Sequence, residues 1–201
     1  MEIIPIIKIR KRKIENTDIK ELINFSSKNS SETPIYILDY DGIEENRPNL
    51  CTYQKLQNHF QIWADNGPND LGDIVDSYMT GVVTIVIRKE FFKNFVPDKV
   101  KYISENKVIL KLDYEDYFDY DLFIGKLDGY VNFLDREKIE SEFKYKELLK
   151  KIYPNLYVYE NDVKNISFWK KKSVKGIIVD FNDYMRFSDA IPSWDDYLIS
   201  F

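Results

Sequence analysis

Residues 35–50 constrain this chain more than any other stretch. Ile35, Tyr36, Ile37 and Leu38 form an apolar run of β-branched and aromatic type, and Pro34 disfavours helix immediately upstream. The run gives way to two carboxylates, Asp39 and Asp41, followed by Gly42. A polar stretch through Pro48 and Asn49 then leads into a helical pattern over 50–60. A strand that ends in carboxylates and feeds a helix through a short loop is half of a βαβ unit. In folds built from such units the chemistry sits at the C-terminal ends of the strands. The stretch therefore predicts a parallel sheet and also the face on which function is expected.

The same alternation continues along the chain. Strand patterns are expected over 3–9, 35–38, 61–64, 82–87, 108–112, 128–134, 156–159 and 175–179, with a further piece at 100–103. Helical patterns fall over 18–26, capped by Thr17 or Asp18, over 50–60, and over 70–78, where Gly81 stops the helix. Two more cover 137–153 and 166–172. Eight strands mostly separated by helices, without a linker rich in Pro, Gly or Ser, imply an α/β fold with a parallel sheet. Periodicity alone permits a closed (β/α)8 TIM barrel or a doubly wound open sheet. The 201 residues lie near the lower end of the barrel range, about 200 upward, so a barrel requires short loops and reduced helices. One domain is expected over 1–201, with a short tail from about residue 188. In that tail Ser193 is expected to cap a last turn after Pro192, and Trp194 to be buried.

Composition removes several functions. No apolar run approaches membrane-spanning length, and Met1-Glu2-Ile3-Ile4-Pro5 reads as a first strand, not a signal peptide. No membrane partner is expected. The net charge of −5 gives no case for nucleic acid. A single cysteine, Cys51, excludes an internal disulfide and fits a reducing, cytoplasmic setting; it is expected to be a buried structural thiol. A single histidine, His59, restricts triads and zinc sites, and it is expected at the surface away from the mouth. No cofactor and no dedicated metal site are expected.

The residues resemble the barrel isomerases and cyclases of histidine biosynthesis, specifically the phosphoribosylformimino-aminoimidazole carboxamide ribotide isomerase family. Ile3-Ile4-Pro5 is similar to that family's opening strand, and Leu38-Asp39-Tyr40-Asp41-Gly42 with Asn49 looks like its second-strand motif. Leu71, Asp73-Ile74, Gly81-Val82 and Val86-Ile87 resemble its third helix and fourth strand in spacing. Leu112-Asp113 resembles its fifth strand, Leu134-Asp135-Arg136 its sixth-strand loop, and Val174-Lys175-Gly176-Ile177-Ile178-Val179 its eighth strand. The resemblance spans residues 3–184 and implies a closed (β/α)8 barrel. It also implies a catalytic role for Asp113, whereas the family's first catalytic aspartate falls at Lys8.

The departures bear on the substrate. The family's phosphate sites are built from glycines, because a bare backbone lets amide groups converge on an anion. Here the corresponding positions read Asp65-Asn66-Gly67-Pro68-Asn69, Arg88-Lys89, Asn161-Asp162 and Asp180. A carboxylate in a poorly solvated phosphate cradle repels the ligand by a few kcal/mol, on the order of that between two close like charges. The expectation is a divergent paralogue that has lost the bisphosphate substrate and acts on or binds a different small ligand at the strand C-terminal face. One alternative is retained sugar-phosphate isomerase or lyase chemistry, with Asp113 as acid and Lys8 as its partner. Another is a non-catalytic binding or regulatory subunit, a homodimer or a protein's partner, docking through the Tyr-rich run 113–121 or the tail.

The candidate ligand-binding residues are Asp39, Asp41, Asp65, Gly67, Arg88, Lys89 and Asp180. Each has an ordinary reading beside it. Asp39 caps loop amides and Asp41 begins a turn. Lys8 and Asp113 form an ion pair across the mouth. Asp65, Asp113, Asp162 and Asp180 make either a divalent-cation site or a solvated acidic rim. Arg88-Lys89 and the basic run Lys8 to Lys13 hold an anion or face solvent.

Overall fold

The structure is a computed structural model that describes residues 1–29, 32–89, 105–112, 124–134, 136–141 and 143–197. Among the described residues nine strands form one sheet. They are β1 (Glu2–Arg10), β2 (Lys13–Ile14), β3 (Pro34–Asp39), β4 (Gln61–Asp65) and β5 (Val82–Ile87), then β6 (Lys107–Leu112), β7 (Gly129–Asn132), β8 (Leu156–Tyr159) and β9 (Gly176–Asp180). Every strand but β2 lies parallel to its neighbours in the order β1-β3-β4-β5-β6-β7-β8-β9, and β1 pairs β9 to close the ring. This is the closed eight-stranded parallel barrel of a compact α/β fold. The expected strand at 100–103, Asp113 and the acidic aromatic run after it lie outside the described residues.

Strand alternation divides the apolar residues into two sets. Ile4, Ile6, Tyr36, Leu38, Trp63, Val86, Ile109, Val131, Tyr157 and Ile178 fill the barrel interior. Ile7, Ile9, Ile35, Ile37, Ile62, Ala64, Ile85, Ile87, Leu110, Val158, Ile177 and Val179 face outward into the helical layer. The strands read as continuous apolar runs because both of their faces are covered. Gly176 is required by close approach: a Cβ there would lie 2.8 Å from Cδ1 of Tyr157, which leans across the barrel floor.

The outer layer contains α1 (Ile19–Lys28), α2 (Tyr40–Glu45), α3 (Leu50–Leu56), α4 (Leu71–Met79), α5 (Arg136–Ser141), α6 (Phe143–Ile152), α7 (Ile166–Lys171) and α8 (Tyr184–Tyr197). Asp18 caps α1 by accepting from the Glu21 amide, and Asp70 caps α4 by accepting from the Gly72 and Asp73 amides. Gly81, at φ 87°, follows α4 and turns the chain into β5. Across the β1–β9 seam, Phe25 of α1 meets Phe181 and Tyr184 edge-on, with centroids 5.1 and 5.0 Å away.

Several local expectations change. The loop after β3 contains the short helix α2, because Asp39 accepts the Gly42 amide and so nucleates a turn there. The helix expected over 50–60 ends at Leu56, and a turn carries the chain to Phe60 and β4. Lys13 belongs to β2, an antiparallel hairpin strand whose turn places Lys11 and Arg12 at positive φ. Cys51 is exposed on α3, so it is not a buried thiol. The tail is one helix from Tyr184 onward, which places Ser193 inside the helix and not at its start. Phe187 is fully buried, while the side chains beyond Ile191, Trp194 among them, lie outside the described residues. No described helix is long and apolar enough to cross a membrane.

Gly176→Ala is expected to overpack the floor against Tyr157 and destabilise the barrel by about 1–3 kcal/mol. The check is chemical denaturation. Gly125→Ala is no matched control, because Gly125 sits at φ 79°; the comparison is with wild type alone, and unchanged stability would show that Tyr157 moves aside freely.

Candidate functional site

Parallel strands bring the described carboxylates Asp39, Asp65 and Asp180 to the same end of the barrel. Alternation then sorts them. Tyr36 and Leu38 point inward, so Asp39 points outward beneath α2 and α3. It is fully buried and accepts from the Gly42 amide, the Asn49 amide and Nδ2, and the Tyr53 hydroxyl at 2.5 Å. Burial, and then the Asp39 charge, push the Tyr53 hydroxyl well above its ordinary pKa, so it remains a donor.

Asp41 serves the hairpin. Its carboxylate accepts from the amides of Lys11 at 2.6 Å and Arg12 at 2.7 Å and from Asn49 Nδ2 at 3.0 Å. Two consecutive amides with their residues in the left-handed region form an anion-binding concavity, here filled by the chain's own carboxylate. Burial pushes the Asp41 carboxyl up, but these hydrogen bonds and the nearby Arg10 charge outweigh it and hold the group below its usual value.

Among the described residues the inward charges form two clusters at the mouth. In the first, Asp65 is fully buried and receives Arg88 in a two-pronged contact, Nε to Oδ1 and Nη2 to Oδ2, both at 2.8 Å. Tyr36 donates to Asp65 Oδ2 at 2.9 Å, and the Lys111 ammonium lies 3.5 Å from the same oxygen. Burial drives the Asp65 carboxyl up; the Lys111 and Arg88 charges and the hydrogen bonds outweigh it and keep the group lowered and ionised. In the second cluster, Lys8 Nζ lies 3.1 Å from Asp180 Oδ1, while the Tyr159 hydroxyl donates to Oδ2 at 2.8 Å. Burial, followed by the hydrogen bond to Asp180, raises the Tyr159 pKa and keeps its proton in place.

Phe133 separates and joins the two clusters. Its ring lies 5.6 Å from Tyr36 and 5.2 Å from Tyr159, and the Lys111 ammonium sits 4.5 Å from its centroid. Among the described residues the mouth thus carries two clusters of buried and half-buried charge joined by an aromatic bridge. The structure brings Lys8 to Asp180 and Arg88 to Asp65. It leaves Asp39, at the end of β3, and Asp41, in α2, outside the barrel interior. Gly67, at φ 65°, and the half-buried Lys89 follow β4 and β5 respectively.

Sequence reasoning missed Lys111, Tyr36, Phe133 and Tyr159. The signal for Lys111 was present: it is the one charge inside Val108-Ile109-Leu110-Lys111-Leu112, two residues beyond the inward Ile109. It also missed Glu160, which is buried against α7 and accepts from Trp169 Nε1 at 2.8 Å and from the Asn161 and Asp162 amides. Asp162 accepts the Lys164 amide in a turn. Among the described residues no group of three or more His, Cys, Asp or Glu side chains is placed to hold a metal ion. His59 is half-buried, with Nδ1 3.3 Å from Ser26 Oγ of α1, remote from the mouth.

Two outcomes follow. Asp65→Asn leaves buried cations without their carboxylate and is expected to cost about 3–5 kcal/mol; Asp180→Asn, in a pair that is a third exposed, is expected to cost less than about 1 kcal/mol. Thermal melts of the two variants check this. Asp41 has a lowered pKa in the fold, so its stabilisation is present above the ordinary aspartate value of about 3.9 and is lost as pH falls through the lowered value. Asp41→Asn is therefore expected to flatten that acid limb in denaturation curves measured across pH.

No protein-family model and no curated protein matches the chain. Solved structures do match in fold. One is a dihydrodipicolinate synthase family protein from Coccidioides immitis, with a TM-score of 0.59 at 16% identity over 98% of this chain and 72% of that one. At that identity the likeness shows the fold alone: this chain is a TIM barrel, and the comparisons assign it to no isomerase family.

Proposed function

We propose that this chain is a divergent barrel, akin to the histidine-biosynthesis isomerases in its strand motifs, that no longer takes a bisphosphate and binds a different small polar ligand at the strand C-terminal mouth. The observation that carries the reading is the inward layer of charge there, with fully buried Asp65 held between Arg88 and Lys111 and Asp180 between Lys8 and Tyr159. Buried ion pairs return little stability over apolar packing, so charge retained in the interior of a barrel, at the end where such folds do chemistry, favours a ligand role.

The same groups argue against the bisphosphate. Asp180 puts a carboxylate where the resemblance has a phosphate-binding glycine. Arg88, expected to help hold an anion on the opposite side, is engaged with Asp65. In the isomerase reading Lys8 works opposite Asp113; here it is paired with Asp180. A ligand carrying a carboxylate or hydroxyls exchanges with these contacts without bringing two dianionic groups into the mouth.

The test is a thermal-shift screen of small carboxylates and polyols beside phosphoribosyl compounds, with a histidine-auxotroph rescue in parallel. A ligand at about a hundred times its Kd stabilises by about 2.7 kcal/mol, a rise of roughly 5–10 °C for a chain of this size. The rise is expected for a ligand without two phosphates and is expected to disappear in Lys8→Met. Rescue of the auxotroph, or turnover of a phosphoribosyl substrate, would overturn the reading.

A further inference from the structure

A cavity-bearing face lies at the N-terminal end of the barrel, opposite the mouth. A cavity of about 410 Å3 opens among Glu2, Pro34, Gln61 and Lys107, the first residues of β1, β3, β4 and β6, and Lys175, just before β9. That volume falls in the range of small-molecule sites, roughly 300–1,000 Å3. The N-terminal face of a barrel ordinarily serves stability, so an open, polar-rimmed cavity there calls for its own account.

Its inner wall is aromatic. Trp63 and Tyr157 both line it and meet edge to face, with centroids 4.8 Å apart and planes at 89°. They are 4% and 3% exposed and belong to the apolar filling of the barrel interior, so the cavity ends against packed core. The rim is cationic on two sides. Lys175 Nζ lies 5.6 Å from the Tyr157 ring centroid, and among the described residues neither Lys175 nor Lys107 makes an ion pair. Glu2, 3.5 Å from the Tyr157 hydroxyl, and Glu32 bring negative charge to the same rim, which disfavours a multiply charged anion.

We infer that this floor cavity is a binding site, distinct from the mouth, for a small monoanion with a flat apolar body, of the arene carboxylate class. Its charged group meets the Lys107 and Lys175 ammonium groups, and its ring lies against Trp63 and Tyr157. Lys175 already sits over an aromatic face, the arrangement that an incoming ring beside Tyr157 extends. The site does not depend on the reading of the mouth, and either can fail alone.

The probe is 2-naphthoate, titrated into the full chain and followed by tryptophan fluorescence and by melting temperature. Saturable quenching with a Kd below about 1 mM is expected, and 2-naphthalenemethanol, which has the ring without the charge, is expected to bind at least about tenfold more weakly. Lys107→Gln with Lys175→Gln is expected to weaken naphthoate about tenfold without changing the melting temperature of the free protein, since both ammonium groups lie at the rim. Trp63→Phe is expected to remove the quenching while the ligand-induced thermal shift persists. Lys8→Met, at the mouth, is expected to leave the titration unchanged. No saturation, equal binding by the double variant, or a loss confined to Lys8→Met would overturn the assignment.

Discussion

Ring closure is the constraint on which the rest of this structure depends. Glu2 to Ile6 of β1 run beside Gly176 to Asp180 of β9, register partner by register partner, and so join the first strand to the last. Once the ring is closed, each strand has one set of residues that must face the interior. The interior is narrow, and side chains fill it. Closure therefore decides that Lys8, Asp65, Lys111 and Asp180 project into confined space and must find partners there. It also leaves β1 longer than β9: past Ile6 and Asp180, the free side of β1 is taken up by β2, which carries the basic hairpin above the mouth.

The small size of the chain shapes what surrounds that ring. Among the described residues most helices are of ten residues or fewer, and the loop after β3 and the β1–β2 turn are held by side chains. Asp39 ties α2 and α3 to the end of β3 through four hydrogen bonds, and Asp41 ties the β1–β2 turn to the same loop. These two carboxylates are structural in geometry, yet they fix the frame around the mouth. The positive φ angles of Lys11 and Arg12 are sustained by Asp41, since a non-glycine residue adopts that conformation only when its surroundings hold it there.

The two ends of the barrel have opposite characters. At the strand C-termini charge is inside, paired, and joined by Phe133 between Tyr36 and Tyr159. At the N-termini the aromatic pair of Trp63 and Tyr157 is inside and the charge stands at the rim. Gly176 links packing to this division, because only a residue without Cβ leaves room for Tyr157 to cross the floor.

The sequence by itself determined the strand and helix alternation, the strand that ends at Asp39 and the side of the sheet that carries charge. These follow from local patterns, since apolar runs, caps such as Asp18 and Asp70, and Gly81 act over a few residues. The resemblance chose a closed barrel over an open sheet, a choice that periodicity left undecided because both topologies use the same alternation. Only the tertiary structure decided the partners. Lys8 and Asp180 are 172 positions apart, and Arg88 and Asp65 are 23 apart, on different strands. No local spacing encodes such pairs, because they arise from register and closure. Lys111 was visible as a lone charge in an apolar strand, but its direction depends on the strand's phase, which the barrel sets. Asp39 and Asp41 show the converse: two positions apart and alike in chemistry, they allowed one shared site or separate capping and turn roles, and the packing of α2, α3 and the hairpin gave each its own backbone amides to hold, with Asn49 Nδ2 donating to both.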